Sequence, residues 1–570
     1  MRASRMATRG KALKLGVGVA LSSAVFFAVS MSGSAATVTV PCDGNALVSA
    51  IATANGTPEA DELQLTAGCT YTLAARNNSF YGFNGLPTVS TSIAIFGNGA
   101  TIQRDPAAPS FRLVAVDVGG VLTLRDLTLR NGFAQGGNGG SDRGNTDDGG
   151  GGAGGAGLGG AIYNRGTLSI IRGTLTANTA RGGNGGAGAD NTGSDGGGGA
   201  GGGGLGGNGG DSGQAAGGDA GAGGGGFGGN GGAVGNEADS GAGGGGTVSD
   251  GGASTGTPTD TPGLGGFQNG GNGGKAVNDN GQPGGLGGGG GGASDEGTGG
   301  AGGIGGGGGG GGENDNEGVH FIGGGAGGFG AGGGGGGEDG FGGAGGFGGG
   351  GGGGASDSTT EPQSGGAAGL GGGTGGSAAD ASGGGGGGAG IGGAVFNDGG
   401  IVSLVNATIS GNTVLGGNGG AGTTPTQNGG NGQGVEPAVF NLNGLVTSLV
   451  GKCKGQLATA IGTNGANTLT GTPAADVIVA LNGKDRVLAA GGDDIVCGGG
   501  GKDVLLGQDG KDQLFGEGGA DKLNGGKGKD RLFGQKGADK LIGGSGKDVC
   551  NGGKGKDVAT GSCEIDKSIG

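Results

Sequence analysis

Between Leu469 and Ala559 one apolar position recurs every nine residues: Leu469, Ile478, Val487, Val496, Leu505, Leu514, Leu523, Leu532, Leu541, Cys550 and Ala559. Glycine and polar residues fill the intervals, so each nonapeptide predicts a strand of about three residues with one inward side chain, followed by a turn. The chain upstream reads differently. Leu47, Ala50, Ile51 and Ala54 share one helical face and predict a short capping helix. Short apolar runs follow at 63–65, 71–73, 93–96, 101–103, 111–118 and 121–129, punctuated by glycine, proline and asparagine. With no long helix between them, they predict the coils of a solenoid, not a sandwich. From Arg181 to Gly392 the periodicity vanishes into glycine, with Phe227, Phe267, Phe321, Phe329, Phe341 and Phe347 scattered through it.

Composition sharpens the reading of that tract. The 570 residues include 183 glycines but only 12 prolines, which excludes collagen. So little apolar surface cannot offset the entropy of ordering so many glycines, which favours a disordered acidic insertion. The alternative is a bundle of polyproline-II-type glycine helices, resembling the glycine-rich domains of some bacterial surface and antifreeze proteins. Val395 resumes the rung pattern that stops near Ala180, so the insertion is expected to leave and re-enter one edge of the solenoid. The glycine stretches at 136–158 and 416–434 are expected to do likewise.

Arg2, Arg5, Arg9, Lys11 and Lys14 precede an apolar run from Leu15 to Met31 and a small-residue stretch ending at Ala36, the pattern of a secretory signal cleaved after Ala36. Cleavage takes the formal charge of −15 down by five. That argues against nucleic acid as a partner, and no apolar segment suits membrane insertion. Six cysteines in an exported chain suggest three disulfides. Proximity favours Cys42 with Cys69, Cys453 with Cys497 and Cys550 with Cys563, out of fifteen possible connectivities. The expected organisation is a signal at 1–36, solenoid at 37–181, glycine-rich insertion at 182–391, solenoid coils at 392–450 and the nonapeptide array at 451–570.

The array also carries the chain's most specific chemistry. Asp476, Asp485, Asp494, Asp503, Asp512, Asp521, Asp530, Asp539, Asp548 and Asp557 stand nine apart within G-x-x-G-x-D-x-U-x nonapeptides, U being apolar. The pattern is clearest in Gly525-Gly526-Lys527-Gly528-Lys529-Asp530-Arg531-Leu532. Glycines permit turns with bared carbonyls, and the aspartate adds a hard oxygen ligand. This resembles the calcium-binding β-roll of the RTX, or hemolysin-type, family. The resemblance implies two nonapeptides per coil, so that residues eighteen apart stack. One column then holds Asn467, Asp485, Asp503, Asp521, Asp539 and Asp557, and the other Asp476, Asp494, Asp512, Asp530 and Asp548, with Ca2+ bridged between neighbours. Two departures bear on this. The turns before Asp476 and Asp485 lack the full glycine pattern, which puts the best sites from Asp503 onward. Lysine precedes six of the aspartates, so calcium affinity is expected near the ~10⁻⁴ to 10⁻³ M of extracellular modules.

The N-terminal rungs, Ile95-Phe96-Gly97-Asn98-Gly99-Ala100-Thr101-Ile102 and Leu122-Thr123-Leu124-Arg125-Asp126-Leu127-Thr128-Leu129, resemble secreted right-handed parallel β-helix proteins of the pectate-lyase-like class. Gly159-Gly160-Ala161-Ile162-Tyr163-Asn164, its counterpart Gly392 to Asn397, and Ala438-Val439-Phe440-Asn441 resemble rungs of polymorphic outer-membrane proteins. Their asparagines are expected to stack at a turn, each amide bonding the next. The fold expected overall is all-β: a right-handed parallel β-helix, then a calcium-binding parallel β-roll, with a long glycine-rich insertion. The expected function is that of a secreted calcium-binding protein, structural or adhesive at a cell surface or in extracellular matrix. Calcium ions are its expected partners, together with extracellular polysaccharide or cell-surface components. No catalytic set is recognised. A polysaccharide lyase centred on Asp126 beside Arg125 and Arg130 is the enzymatic alternative, and a pore-forming toxin is disfavoured by the lack of an insertion segment.

Overall fold

The computed structural model describes residues 37–142, 149–188, 198–212, 220–234, 241–254, 263–266, 270–274, 279–294, 297–312, 322–356, 362–379, 381–561 and 563–565. The expected export signal and Phe267, His320 and Phe321 lie outside the described residues. Among the described residues the chain divides between Val450 and Gly451 into two compact units.

The first unit opens with a strand, Thr37–Val40, and a helix, Gly44–Ala54, whose N-cap Asp43 accepts the Ala46 N–H at 2.9 Å. Leu47, Ile51 and Ala54 are buried, so the predicted apolar face closes the first coil, and Cys42 is bonded to Cys69 there. Thr37–Val40, Asp61–Leu65, Ser92–Phe96, Val121–Arg125, Thr167–Ile171, Ile401–Val405 and Leu445–Leu449 form one seven-stranded parallel sheet. Thr70–Leu73, Thr101–Arg104, Thr128–Arg130, Thr174–Thr176 and Thr408–Ser410 form another. This is a parallel β-helix. The run predicted as one strand over 121–129 is two, because Asp126 adopts φ +53° and turns the chain from one sheet to the next. Arg172 and Asn406, following Ile171 and Val405 in the register of Arg125, turn the same way at φ +48° and +49°.

Register carries the coil across the glycine tract. Ile162, Tyr163 and Asn164 pair with Val395, Phe396 and Asn397, and these with Val439, Phe440 and Asn441. Each position has its own role. Ile162 and Val395 enter the aliphatic core. The Asn164 amide donates to Asn397 Oδ1 at 2.7 Å and the Asn397 amide to Asn441 Oδ1 at 2.6 Å, forming the expected ladder. Tyr81, Tyr163, Phe396 and Phe440 stack outside with centroids 4.9, 5.4 and 5.5 Å apart.

The glycine tract corrects the reading as a disordered insertion: its described residues are ordered by their own backbone. Along 199–205 successive amides point to three different neighbours, and every third residue returns to the same one, as three residues per turn require. Gly199, Gly202 and Leu205 donate to the carbonyls of Gly311, Gly308 and Gly305; Ala200 and Gly203 to Gly150 and Ala153; Gly201 and Gly204 to Gly210 and Gly207. The helices pack so closely that a Cβ on Gly201 would lie 2.1 Å from the Gly223 carbonyl oxygen, and one on Gly202 would lie 2.2 Å from that of Gly332. Apolar burial is too small to order this tract; hydrogen bonds from nearly every residue do so, and they become available only when no side chain separates the backbones. The stretches at 136–158 and 416–434 join the same bundle, Gly151 donating to Gly383 and Gly417 to Gly388. Where G-G-N-G-G recurs, asparagines form a second ladder: Asn418 N–H to Asn184, Asn184 to Asn138, Asn138 to Asn208, and Asn208 to Asn230, at 2.8 to 3.0 Å. Leu205, Phe227, Phe329 and Phe347 close one end of the bundle against the Tyr163 and Phe396 stack.

The second unit is a roll of two parallel sheets. Successive nonapeptides alternate between them, so pairing runs at intervals of eighteen: Leu505, Leu523 and Leu541 in one sheet, Val496, Leu514, Leu532 and Cys550 in the other. The whole predicted column from Leu469 to Cys550 is buried. Phe515 and Phe533 stack at 4.9 Å, with Lys454 Nζ 4.3 Å from the Phe515 ring. Cys453 is bonded to Cys497 and Cys550 to Cys563, as proximity favoured.

Candidate metal centre

Each turn of the roll from Asp485 to Asp557 is fixed by glycine at the second residue before the aspartate, whereas Ala474 stands there before Asp476. Gly528 has φ +139°, and a Cβ there would lie 1.6 Å from the Gly510 carbonyl oxygen, so both conformation and space demand glycine. That close stacking brings the aspartates into the two expected columns. Asp485, Asp503, Asp521 and Asp539 N–H donate to Oδ1 of Asp503, Asp521, Asp539 and Asp557 at 2.8 to 2.9 Å. In the other column Asp476, Asp494, Asp512 and Asp530 N–H donate to Oδ1 of Asp494, Asp512, Asp530 and Asp548 at 2.7 to 3.0 Å. Asn467 heads the first column, its N–H donating to Asp485 Oδ1 at 2.7 Å.

One carboxylate oxygen is thus used to hold the ladder. The other faces inward. Oδ2 of Asp485, Asp503, Asp512, Asp521, Asp530, Asp539 and Asp557 is buried without a hydrogen-bond partner. Its surroundings are oxygen-rich: a Cβ on Gly507 would meet Asp512 Oδ2 at 2.3 Å and the Gly525 carbonyl oxygen at 2.6 Å, and one on Gly525 would meet Asp530 Oδ2 and the Gly543 carbonyl oxygen at the same distances. Buried carboxylate oxygens beside unshielded carbonyls form a hard donor set, which suits a cation that takes six to eight oxygens. Among the described residues no three His, Cys, Asp or Glu side chains converge on one point. Any ion here therefore depends on backbone carbonyls for much of its shell.

Burial without a cation also makes these acids weak. Desolvation pushes Asp512 up to about 6 and Asp521 up to about 7, against the lowering effect of the N–H each accepts, and the neighbouring column aspartates add to the rise. Asp485, Asp503, Asp530 and Asp539 are raised for the same first reason. Asp476 stands apart. Its carboxylate accepts the Thr459 hydroxyl at 2.7 Å, the Thr472 N–H at 2.7 Å and the Thr472 hydroxyl at 2.8 Å, so protein donors already surround it. Thr472, four residues ahead of Asp476 where no later turn carries a hydroxyl side chain, is the sequence signal for that difference. The carbonyl of the first glycine in each turn is the element that a search for side-chain ligands misses.

Asp126, the acid considered for lyase chemistry, lies at a shallow open cleft with Asn98, Thr128 and Arg172. Its carboxylate receives Arg172 Nε at 2.7 Å and Nη2 at 2.5 Å, and Arg125 Nε lies 3.4 Å away. Arg130 instead donates to Gln103 Oε1 at 2.7 Å. The ion pair joins two successive coils at their turn.

A family model, the RTX calcium-binding nonapeptide repeat in four copies, matches residues 461–496, 498–532 and 524–559. The segment carrying the two columns therefore consists of calcium-binding repeats. No curated protein and no solved structure matches the chain.

Proposed function

We propose that the mature chain is an exported structural or adhesive protein whose C-terminal roll is completed by calcium, the ions lying along the aspartate columns. The observation that carries this reading is the set of seven buried Oδ2 atoms without protein partners, five of which, on Asp503, Asp512, Asp521, Asp530 and Asp539, lie beside a glycine carbonyl of the next coil. Asp503, Asp512, Asp521, Asp530 and Asp539 hold the ions, with Asp485, Asp494, Asp548 and Asp557 toward the ends of the columns. Asp476 serves chiefly as a turn cap. Calcium supplies positive charge that lets the carboxylates remain ionised in a desolvated turn, so binding and folding are coupled. Extracellular calcium suits sites of modest affinity, and export fits the three disulfides. The pairing of the Asp126 carboxylate with Arg172 suits a structural ion pair between coils and favours the structural reading over a lyase.

The test is a calcium titration of the mature chain followed by circular dichroism and calorimetry, with disulfides intact. A gain of β signal in the millimolar range, reversed by chelator, is expected. Asp521→Asn and Asp530→Asn should each shift the midpoint to higher calcium by about tenfold, while Asp476→Asn should shift it little. A roll that is fully folded in chelator and indifferent to Asp521→Asn would refute the reading.

A further inference from the structure

The ten column aspartates are buried, whereas all fifteen described lysines and arginines of the roll are exposed. Only Asp493, Asp509, Glu517 and Glu564 bring acidic charge to the roll surface among the described residues. The segment 451–570 is nearly neutral by formula, with 16 Lys+Arg against 15 Asp+Glu, but it is strongly basic outside.

The basic charge is not spread evenly. Along the edge of the Asp485, Asp503, Asp521, Asp539 and Asp557 column every coil presents at least one cation: Lys484, Lys502, Lys522, Lys540 and Lys556 each adjoin one of these aspartates in sequence. Lys522 and Lys540 face each other in register, as do Lys536 and Lys554. Glu517 is the one acid in these turns, and Lys454 lies 3.7 Å from it. The opposite edge differs: Lys511 and Lys527 lie 3.9 and 3.0 Å from Asp493 and Asp509. Each of the five coils, stacked about 4.8 Å apart, therefore adds a cation to the first edge, just before the aspartate in three coils and just after it in two.

We propose that this edge binds a linear acidic polysaccharide lying along the roll axis, meeting one cation or more per coil. Lysine point charges suit dispersed carboxylates or sulfates. Bidentate phosphate recognition favours arginine, of which the edge has only Arg486. The coupling to calcium rests on the reading above: Lys484, Lys502 and Lys556 directly precede column aspartates, so ions held by those aspartates would add to the same positive field. A bound polyanion offsets that repulsion, so by reciprocity it raises calcium affinity. The remainder of the chain, residues 1–450, has 15 Lys+Arg against 31 Asp+Glu and opposes such binding elsewhere.

The experiment uses the mature chain with dextran sulfate as probe, in millimolar calcium and in chelator, and double-stranded DNA at matched charge as comparator. Lys502→Gln/Lys522→Gln/Lys540→Gln is set against Lys511→Gln/Lys529→Gln/Lys547→Gln on the opposite edge. The first variant should bind dextran sulfate about tenfold more weakly, the second nearly as wild type. Circular dichroism should show both still folding with calcium, and dextran sulfate should lower the calcium midpoint of the wild type. Equal weakening in the two variants, or a calcium-folded protein that does not bind dextran sulfate, overturns the proposed edge. DNA binding as tight as dextran sulfate binding overturns the polysaccharide assignment. Binding that persists without any calcium transition would instead remove the calcium reading and leave the edge standing.

Discussion

A carboxylate buried without a counter-ion stores a cost that depends on pH. Asp512 and Asp521 are raised to about 6 and about 7 by burial, above the ~3.9 of an unfolded aspartate. A group raised on folding stabilises the fold below its unfolded value and loses that contribution as pH rises through the folded one. The metal-free roll should therefore be more stable near pH 5 than near pH 8. Calcium favours the ionised form, so the stabilisation it adds should be larger at pH 8; thermal melts in chelator and in calcium at the two pH values measure both trends. Backbone strain makes a second contrast. Gln535 holds φ +72° where Gly526, Gly544 and Gly553 stand in other turns. Gln535→Gly should gain on the order of 0.5 kcal/mol, the relief of left-handed strain outweighing glycine's entropy. A Cβ on Gly537 would lie 1.3 Å from the Gly519 carbonyl oxygen, so Gly537→Ala should cost about 3 kcal/mol in chemical denaturation at saturating calcium.

At the scale of elements, the roll and the β-helix rungs were legible because each repeats a side chain with a fixed direction. The inward column from Leu469 to Cys550 follows from spacing, and the rung pairs Ile162 with Val395 and Asn164 with Asn397 from the repeated motif Gly-Gly-Ala followed by an aliphatic, an aromatic and asparagine. The strand boundary at Asp126 was not legible, since a single left-handed residue leaves no mark in hydropathy. Of the site, the nine-residue aspartate spacing was legible in the sequence and its sorting into two columns followed from the resemblance to the RTX β-roll, but the division of labour between Oδ1 and Oδ2, and the protein donors around Asp476, depend on turn geometry. The glycine helices were hidden for a different reason: their bonds come from the main chain, and the pattern that encodes them is an absence of side chains. G-G-N-G-G at Asn138, Asn184, Asn208, Asn230 and Asn418 was the available signal, since each asparagine marks a rung of one ladder. Interior positions should tolerate nothing larger than glycine. Gly202→Ala, with the Gly332 carbonyl oxygen in the way, should cost about 1–3 kcal/mol, visible as a lower melting temperature of the mature chain with calcium held constant.

Across the molecule, charge and bonding are divided in ways the totals conceal. The formal charge of −15 sums an acidic segment before Gly451 and a roll whose acids are inside and whose cations are outside, so inference from the sum about partners applies only to the first of these. Stability is divided as well: on the proposed reading calcium completes the roll's lattice of carboxylates, whereas the glycine bundle is held by a lattice of backbone amides. Removing calcium should therefore leave the bundle intact while the roll loosens. Because the 199–205 helix bonds to three different neighbours in alternation, no helix of that kind can detach by fraying from one side. In hydrogen–deuterium exchange followed by mass spectrometry, the described glycine segments should take up deuterium together, in a single late step, as one indivisible block and not as a gradient from edge to centre.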